Sequence, residues 1–268
     1  MPEQTSVAEV SAPSHLYRLP VEAVRHYSDR LFAFSCERPA EFRFRSGEFV
    51  MIGLMRGERP LLRAYSIASP AWDGSLSFYS IKVMDGPLTS RLQHVRPGDA
   101  ILLGRKPTGT LVLDALVPGC RLFLLSTGTG IAPFASLIRE PETYERFDEV
   151  VLTHTCRTRS ELEYSRSAVA AAIADPLVGE EASQKLRHVT SLTREAHPLE
   201  GRITTLIRNG VFFEALGSAG FDPTSDRIMI CGSVPMLSEL KAIALEAGFA
   251  EGARHEPGAF VIERAFAG

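Results

Sequence analysis

The segment RAYSIASP, at residues 63–70, combines side chains that a buried strand and a solvent loop both tend to avoid. Arg63 supplies a guanidinium group, Tyr65 an aromatic face and Ser66 a hydroxyl group within four residues. A planar charged fork suits a phosphate or diphosphate, and an aromatic ring suits a flat heterocycle. This grouping therefore indicates a ligand that is anionic in one part and planar in another.

Two glycine turns could bring the backbone close to a phosphate group. Gly128 and Gly130 lie between an apolar run and a helical segment, and Gly232 follows another apolar run. Such turns bind a pyrophosphate when they open a βα unit, because free N–H groups at the helix start face it. An ordinary strand-to-helix turn explains the first motif about equally well, since Pro133 replaces the expected third glycine. Its place at the first βα unit favours phosphate binding.

Arginines follow the ends of several apolar runs in the second half of the chain. Arg157 and Arg159 come after one run, Arg194 comes after the next, and Arg202 opens a helical segment. The carboxyl ends of parallel strands meet at one edge of a sheet, where guanidinium groups could clamp a phosphate monoester. Each arginine taken singly is explained as well by an ordinary exposed position. Together they favour a phosphate site.

Cys231, next to the second glycine turn, could touch a reacting ring. Core packing is the usual role of a single cysteine, but the neighbouring Gly232 and Ser233 favour a functional role here. The four cysteines and seven histidines form no Cys-x-x-Cys pair, iron–sulfur run or His-Glu-x-x-His motif. We therefore predict no metal site, and scattered reduced thiols are typical of a cytoplasmic protein.

The composition of the chain limits the classes of protein to which it can belong. The chain has 268 residues, 45% of them hydrophobic, and a net charge of −3. Its length favours about two domains, and its charge argues against disorder and against nucleic-acid binding. No apolar run approaches the roughly 18 residues of a membrane span, and the start of the chain lacks a signal-peptide pattern. We predict a cytoplasmic protein that binds neither nucleic acid nor membranes.

The elements that would position these residues change in character near residue 115. Short apolar or alternating runs separated by turns, including residues 42–45 and 99–113, predict strands of an antiparallel β-barrel or sandwich. Further on, compact apolar runs alternate with helical segments, which predicts a doubly wound parallel α/β sheet. The predicted organisation is a loose tail at residues 1–15, a β-barrel domain at 16–117 and an α/β domain at 118–268.

Taken in order, six motifs resemble the bacterial ferredoxin (flavodoxin)–NADP+ reductases, within the wider ferredoxin–NADP+ reductase superfamily. They are RAYSIASP, SIKVMDGPLTSRL, KPTGTL, STGTGIAPF, ICGSVPM and EPGAFVIERAF, and the similarity runs from about residue 18 to the C-terminus. The resemblance implies that FAD binds in the barrel domain and NADP(H) at the edge of the parallel sheet. It also implies an enzyme that transfers electrons between NADP(H) and ferredoxin or flavodoxin.

The resemblance also implies roles for individual residues, and the 2′-phosphate positions among them favour NADP(H) over NAD(H). The positions implied for FAD are Arg63, Ala64, Tyr65, Ser66, Ile81, Lys82, Val83, Leu88, Thr89, Ser90, Thr129 and Phe266. Those implied for NADP(H) are Thr127, Gly128, Gly130, Gly232 and Ser233, with Arg157, Thr193, Arg194 and Arg202 at the 2′-phosphate. Those implied around the reacting rings are Ser66, Cys231, Glu263 and Ala265.

Two other functions remain open at this point. One is the reductase component of an oxygenase system, although the cysteines exclude an iron–sulfur domain within this chain. The other is a flavin-binding relay or regulatory subunit without nicotinamide turnover, which would have no need for a 2′-phosphate clamp. We expect the protein to be a monomer.

Overall fold

The computed structural model describes residues 14–264, and its first half is an antiparallel sheet. Its six strands are Leu16–His26 (β1), Leu31–Glu37 (β2), Phe49–Arg56 (β3), Arg59–Ser66 (β4), Ser75–Ile81 (β5) and Ala100–Gly104 (β6). Their order across the sheet is β4-β3-β6-β1-β2-β5. The edge strands come together beyond β4, where Ile67 pairs with Phe78 and Ala68 N donates to Ser77 O at 2.8 Å. A short helix, Thr89–Leu92 (α1), also lies in this half.

The second half is a parallel sheet with helices between its strands. The strands are Arg121–Thr127 (β7), Glu149–Cys156 (β8), Leu186–Leu192 (β9), Asp226–Gly232 (β10) and Phe260–Arg264 (β11). The helices are Ala132–Leu137 (α2), Pro141–Arg146 (α3), Glu163–Ile173 (α4), Gly179–Lys185 (α5), Ile203–Arg208 (α6), Val211–Leu216 (α7) and Val234–Glu246 (α8). Short 3₁₀ helices span Leu113–Ala115, Gly128–Ile131 and Arg159–Leu162. The strand order is β11-β10-β7-β8-β9, so the order reverses between β7 and β10.

The predicted fold class is confirmed, because an antiparallel sheet is followed by a parallel α/β sheet. The apolar runs of β8 and β10 are buried along almost their whole length, as expected of strands covered by helices on both faces. The domain boundaries at residues 15 and 117 stay predictions.

Two predicted strands are wrong. Residues 42–45 alternate like a strand but lie in a loop, in which Phe42 and Phe44 pack into the core of the antiparallel sheet. The run after the turn at residues 104–110 contains a 3₁₀ helix rather than a strand. In both cases the apolar side chains are buried without a neighbouring strand to pair with, so burial alone produced the pattern.

The two sheets share a common core. Leu31, Ala68 and Tyr79 of the antiparallel half pack in one cluster with apolar residues of β7, β8 and α2. Tyr79 stacks on Tyr164 of α4, with ring centroids 3.8 Å apart. Ser136 Oγ donates to Ser69 O at 2.8 Å. These contacts hold the antiparallel sheet against the parallel one and define the crevice between them.

Candidate functional site

A cavity of about 600 Å³ opens at the carboxyl edge of the parallel sheet, at the point where the strand order reverses. Open α/β sheets bind ligands at such a point, in the crevice beyond the strand ends. The antiparallel half contributes Arg30, Leu31 and Ile81 to its wall. The parallel half contributes the ends of β7, β8 and β10 with the segments that follow them, residues after β9 and in α6, and Arg264 of β11. The cavity therefore lies between the two halves, with the predicted glycine turns and several predicted cations around it.

The two glycine turns meet at this reversal of strand order. Gly128 lines the cavity with φ +53°, and a Cβ there would point into open space. Gly130 is buried instead, and a Cβ on it would lie 2.2 Å from Cys231 O. A Cβ on Gly232 would lie 2.4 Å from Thr127 Oγ1. Gly128 thus leaves room for a ligand, whereas Gly130 and Gly232 let the ends of β7 and β10 approach each other.

The cations at the strand ends do not all occupy equivalent positions. Arg157, Thr193 and Arg202 line the cavity, but Arg194 is exposed outside its wall. Within residues 14–264, neither Arg157 nor Arg202 forms an ion pair, so both guanidinium groups are available to an anion. Glu161 Oε2 accepts from Arg157 N at 2.9 Å and holds the loop after β8 in place. Two cations therefore line the same space as Thr193, whose hydroxyl group donates to Cys156 O at 3.3 Å, and the two guanidinium groups fit a phosphate monoester.

Cys231 and Glu263 are neighbours in register on β10 and β11. Cys231 is completely buried, and burial raises the pKa of its thiol, which is therefore protonated at neutral pH. Thr110 N donates to Glu263 Oε2 at 2.9 Å, and Thr110 Oγ1 lies 3.4 Å from the same oxygen. Burial is the main reason that the pKa of Glu263 is raised to about 7, with the Glu48 carboxylate adding to it. Glu263 can therefore hold or release a proton near neutral pH.

The flavin residues implied by the resemblance lie along β4 and β5. Arg63 is half-buried and donates to Leu62 O at 2.8 Å, and within residues 14–264 it forms no ion pair. Tyr65 is only 7% exposed, and its hydroxyl group lies 3.1 Å from Ser80 Oγ. Ser66, at the end of β4, is half-buried. An unpaired guanidinium beside an aromatic ring fits a diphosphate joined to a flat ring system, as FAD is.

The segment after β5 forms a tight loop that leads into α1. Gly86 N donates to Val83 O at 3.1 Å, and Thr89 Oγ1 donates to the same carbonyl at 3.2 Å. A Cβ on Gly86 would lie 2.3 Å from Thr89 Oγ1, so the loop needs a glycine here. Leu88 and Thr89 are buried, whereas Val83 is exposed. The loop therefore exposes the apolar side chains of Val83 and Met84 and buries that of Leu88.

The structure brings the predicted NADP(H) residues together more clearly than the predicted flavin residues. Seven of the former line the cavity, namely Thr127, Gly128, Arg157, Thr193, Arg202, Gly232 and Ser233, together with the predicted flavin contacts Ile81 and Thr129. Ala64 on β4, Lys82 after β5 and Ser90 in α1 are half-buried, and Lys82 Nζ donates to Ser28 O at 2.8 Å. Ala265 and Phe266 lie outside the described residues.

Sequence reasoning missed His154, which is buried in β8 below the first glycine turn. Its Nε2 lies 2.9 Å from Gly128 O, and its Nδ1 lies 2.9 Å from Ser165 Oγ. The run VVLTHT does not indicate this contact with the glycine turn, because a histidine inside an apolar strand is usually a core residue. In the part of the chain that the structure describes, no cluster of potential metal ligands is found. No helix among residues 14–264 is long and apolar enough to cross a membrane.

Known proteins resemble this chain along almost its whole length. Residues 124–241 match the model of the oxidoreductase NAD-binding domain family. The flavodoxin/ferredoxin–NADP reductase of Rhodobacter capsulatus is 56% identical over 249 residues, which are 92% of this chain and 92% of that protein. The ferredoxin–NADP reductase of Pseudomonas aeruginosa is 49% identical over 254 residues, 94% of this chain and 98% of that protein.

A solved structure shows the same similarity in three dimensions. It is a crystal structure of a ferredoxin NADP+ reductase from Neisseria gonorrhoeae with bound FAD and NADP. The two chains superpose with a TM-score of 0.85 at 30% sequence identity. The match covers 95% of this chain and 100% of that chain, so both halves and the crevice between them correspond.

Proposed function

Since this chain belongs to the family of ferredoxin/flavodoxin–NADP+ reductases, we infer that it is an FAD-dependent oxidoreductase acting between NADP(H) and a small electron carrier, ferredoxin or flavodoxin. The observation that carries this conclusion is the cavity in which Arg157 and Arg202 of the parallel half meet Ile81 of the antiparallel half. A ligand in that cavity touches both halves. A cofactor held by the antiparallel sheet and a nucleotide held by the parallel sheet can therefore meet in the crevice.

The residues of the antiparallel half are proposed to hold the flavin. FAD, when bound, would exchange a hydride with the nicotinamide and single electrons with the carrier. Arg63 would pair with its diphosphate, because the guanidinium is half-buried and has no carboxylate partner among residues 14–264. Tyr65 would pack against the ring system from the side of the core, and Ser66 would donate a hydrogen bond to the ring. The loop at residues 81–90 would supply backbone contacts.

The residues of the parallel half are proposed to hold NADP(H). The turn at residues 127–130 would face the pyrophosphate, and Gly232 with Ser233 would close the same wall. Arg157, Thr193 and Arg202 would bind the 2′-phosphate, since they line one cavity and, among residues 14–264, neither guanidinium group is in an ion pair, although Glu161 and Glu239 line the same cavity. Arg194, which is exposed outside the wall, would contribute less than Arg202.

Cys231 and Glu263 are proposed to shape the place where the two rings meet. The thiol of Cys231 stays protonated because burial raises its pKa, so it offers a small, neutral surface. Glu263 can hold a proton on its carboxylate near neutral pH, because burial raises its pKa to about 7. It is oriented by Thr110, whose N–H group donates to Oε2.

The remaining proposals concern the cell and the assembly. We propose a cytoplasmic monomer with four reduced cysteines, of which Cys36, Cys156 and Cys231 are buried. We also propose the domain boundaries at residues 15 and 117. Ala265 and Phe266 are proposed to lie next to the flavin, on the basis of the family resemblance alone.

The test of the function is an absorbance spectrum of the purified protein before and after addition of NADPH. A flavin spectrum that bleaches with NADPH, and recovers when ferredoxin or flavodoxin is added, is the expected result. A colourless protein that takes up no flavin would contradict it. The same titration with an oxygenase in place of the carrier distinguishes the oxygenase reductase, since that partner alone would then be reduced.

A further inference from the structure

His154 is a buried titratable residue that contacts the turn between β7 and α2 from below. Its Nε2 lies 2.9 Å from Gly128 O, and its Nδ1 lies 2.9 Å from Ser165 Oγ on α4. A carbonyl oxygen only accepts, so Nε2 carries the proton. Burial lowers the pKa of His154 to about 4, so the ring is neutral at physiological pH. Nδ1 is then the acceptor, and the one hydroxyl proton of Ser165 is shared between Nδ1 at 2.9 Å and Leu162 O at 3.0 Å.

The peptide bond between Gly128 and Thr129 links His154 to the cavity, because its carbonyl oxygen contacts His154 and its N–H group belongs to a residue of the cavity wall. A trans peptide is planar, so its C=O and its N–H point in opposite directions, and the described residues contain no cis peptide bond. With the carbonyl of Gly128 held against His154, the N–H of Thr129 points away from the sheet. Gly128 and Thr129 both line the cavity. At the start of the 3₁₀ helix Gly128–Ile131, the N–H of Thr129 has no intrahelical acceptor.

A constraint is needed here because Gly128 is free to move. Its φ of +53° is a region that glycine enters and leaves without a steric penalty, and nothing lies within 4 Å of the position a Cβ would take. If this peptide flipped, the carbonyl oxygen would face the cavity and repel an anion. His154 opposes that flip, since the flip would leave its buried N–H without an acceptor.

On the premise that the proposed function is correct, we propose that His154 is a positioning residue that aims the N–H of Thr129 at the pyrophosphate of NADP(H). Ser165 supports it by fixing the orientation of the ring. Cys156 Sγ lies 3.2 Å from His154 Nε2, and a thiol is a weak donor and acceptor, so its contribution is small.

The test measures binding rather than turnover, on the purified FAD-loaded protein. Calorimetric titrations compare NADP+ with 2′-AMP, which carries a 2′-phosphate but no pyrophosphate. His154→Leu is expected to weaken NADP+ binding about tenfold, the usual scale for one lost hydrogen bond with an ordered turn. Binding of 2′-AMP is expected to change by less than about twofold, because Arg157 and Arg202 do not depend on the turn.

Two further variants separate the contact with Gly128 from the contact with Ser165. His154→Gln places an amide nitrogen near the position of Nε2 and is expected to restore NADP+ binding. His154→Asn reaches only the position of Nδ1 and is expected to behave like the leucine variant. Ser165→Ala keeps the imidazole and replaces the leucine variant in the test if that variant does not fold. We expect it to lower the affinity for NADP+ about threefold and to leave the affinity for 2′-AMP unchanged.

His188→Leu is the matched control. His188 lies on the neighbouring strand β9, and burial lowers its pKa to about 4 as well, but it does not contact the turn. Both ligands should bind this variant as they bind the wild type. Equal losses of NADP+ and 2′-AMP in His154→Leu, or unchanged NADP+ binding in His154→Leu and Ser165→Ala, would overturn the inference. A wild-type protein that binds neither ligand would instead refute the proposed function.

Discussion

The two halves of the site are built in different ways. Along β4 and β5, candidate contacts are side chains such as Arg63 and Ser66, projecting from a sheet whose core would persist without them. At the edge of the parallel sheet, candidate contacts include backbone turns whose shape depends on close approach, as where Gly130 meets Cys231 O. A change in the first region should remove one interaction, whereas a change in the second should displace the wall itself.

The sharpest test of this difference is Gly130→Ala, for which we expect the largest effect on folding stability. The added Cβ would lie 2.2 Å from the carbonyl oxygen of Cys231, so the ends of β7 and β10 must separate. We expect a destabilisation of about 1–3 kcal/mol, the usual cost of overpacking. Binding of NADP+ should fall by more than about tenfold, while bound FAD is retained. Thermal unfolding and NADP+ titration measure the two effects.

Gly74→Ala is the control for this variant. Gly74 is exposed on the antiparallel half, and nothing lies within 4 Å of the position a Cβ would take. Its stability should stay within about 0.5 kcal/mol of the wild type. If Gly130→Ala also left stability and NADP+ binding unchanged, the shape of the turn would not determine nucleotide binding. The contrast between the two halves would then be wrong.

Replacing both Arg194 and Arg202 by alanine tests the cationic part of the same edge. We expect NADPH affinity to fall by about 100-fold, because charge-assisted hydrogen bonds to a phosphate are lost, with little change for NADH. Arg202 lines the cavity and Arg194 does not, so Arg202→Ala alone should account for most of the loss. Kinetic and binding constants for the two coenzymes provide the measurement. Equal losses for NADPH and NADH would argue against a 2′-phosphate clamp.

Arg166→Ala serves as the surface control for these arginines. Arg166 is exposed on α4 and pairs with Glu163 at 3.0 Å, away from the cavity wall. Exposed pairs of this kind contribute little to stability. Both coenzymes should therefore bind this variant normally.

Arg63→Ala tests the antiparallel half, where we expect weaker FAD binding without a change in the folded structure. The guanidinium lacks a carboxylate partner among residues 14–264, so removing it should weaken FAD binding by about tenfold while leaving the melting temperature of the apoprotein unchanged. Flavin content after dialysis is the measurement. Arg59→Ala, at the exposed start of the same strand, is the matched control. Loss of flavin from both variants, or from neither, would remove Arg63 from the site.

The fold class and the location of the site were predictable from the sequence, because both follow from local patterns. Compact apolar runs predict β7, β8 and β10, and the rule that ligands bind beyond the carboxyl ends of such strands then places Arg157, Arg202 and Gly128 at one edge. Neither inference needs the packing of distant residues.

What the sequence could not supply depends on contacts between distant segments. Gly130 and Gly128 look alike in the motif, yet one packs on Cys231 and the other faces the cavity. The role of His154 depends on Gly128, 26 residues earlier in the chain. Phe42 and Phe44 alternate like a strand because both are buried, although the loop pairs with no neighbouring strand. Periodicity reports burial, and it does not report which segment covers a side chain.

The smallest expected effect belongs to Glu263→Gln, which tests a group located where the two halves meet. Burial and the Glu48 carboxylate raise the pKa of Glu263 to about 7, and the neighbouring Cys231 thiol is neutral because its own pKa is raised. The native state therefore binds a proton more tightly than the unfolded chain, and this stabilisation is lost as the pH rises through about 7. Glutamine keeps an acceptor for Thr110 N but cannot ionise.

We therefore expect the melting temperature of Glu263→Gln, relative to the wild type, to be higher at about pH 8.5 than at about pH 5.5. The expected difference in melting temperature is on the order of 2–4 °C, a figure that has been reduced to allow for solvent screening of the charge. Glu142→Gln, at an exposed carboxylate that pairs with Arg146 on α3, is the control for replacing a glutamate on the surface. A Glu263→Gln variant that melts in parallel with the wild type at both pH values would mean that Glu263 ionises normally. That result would contradict the proposed role of Glu263 in holding a proton where the two halves meet. It would not affect the contrast between the region built from side chains and the region built from backbone turns.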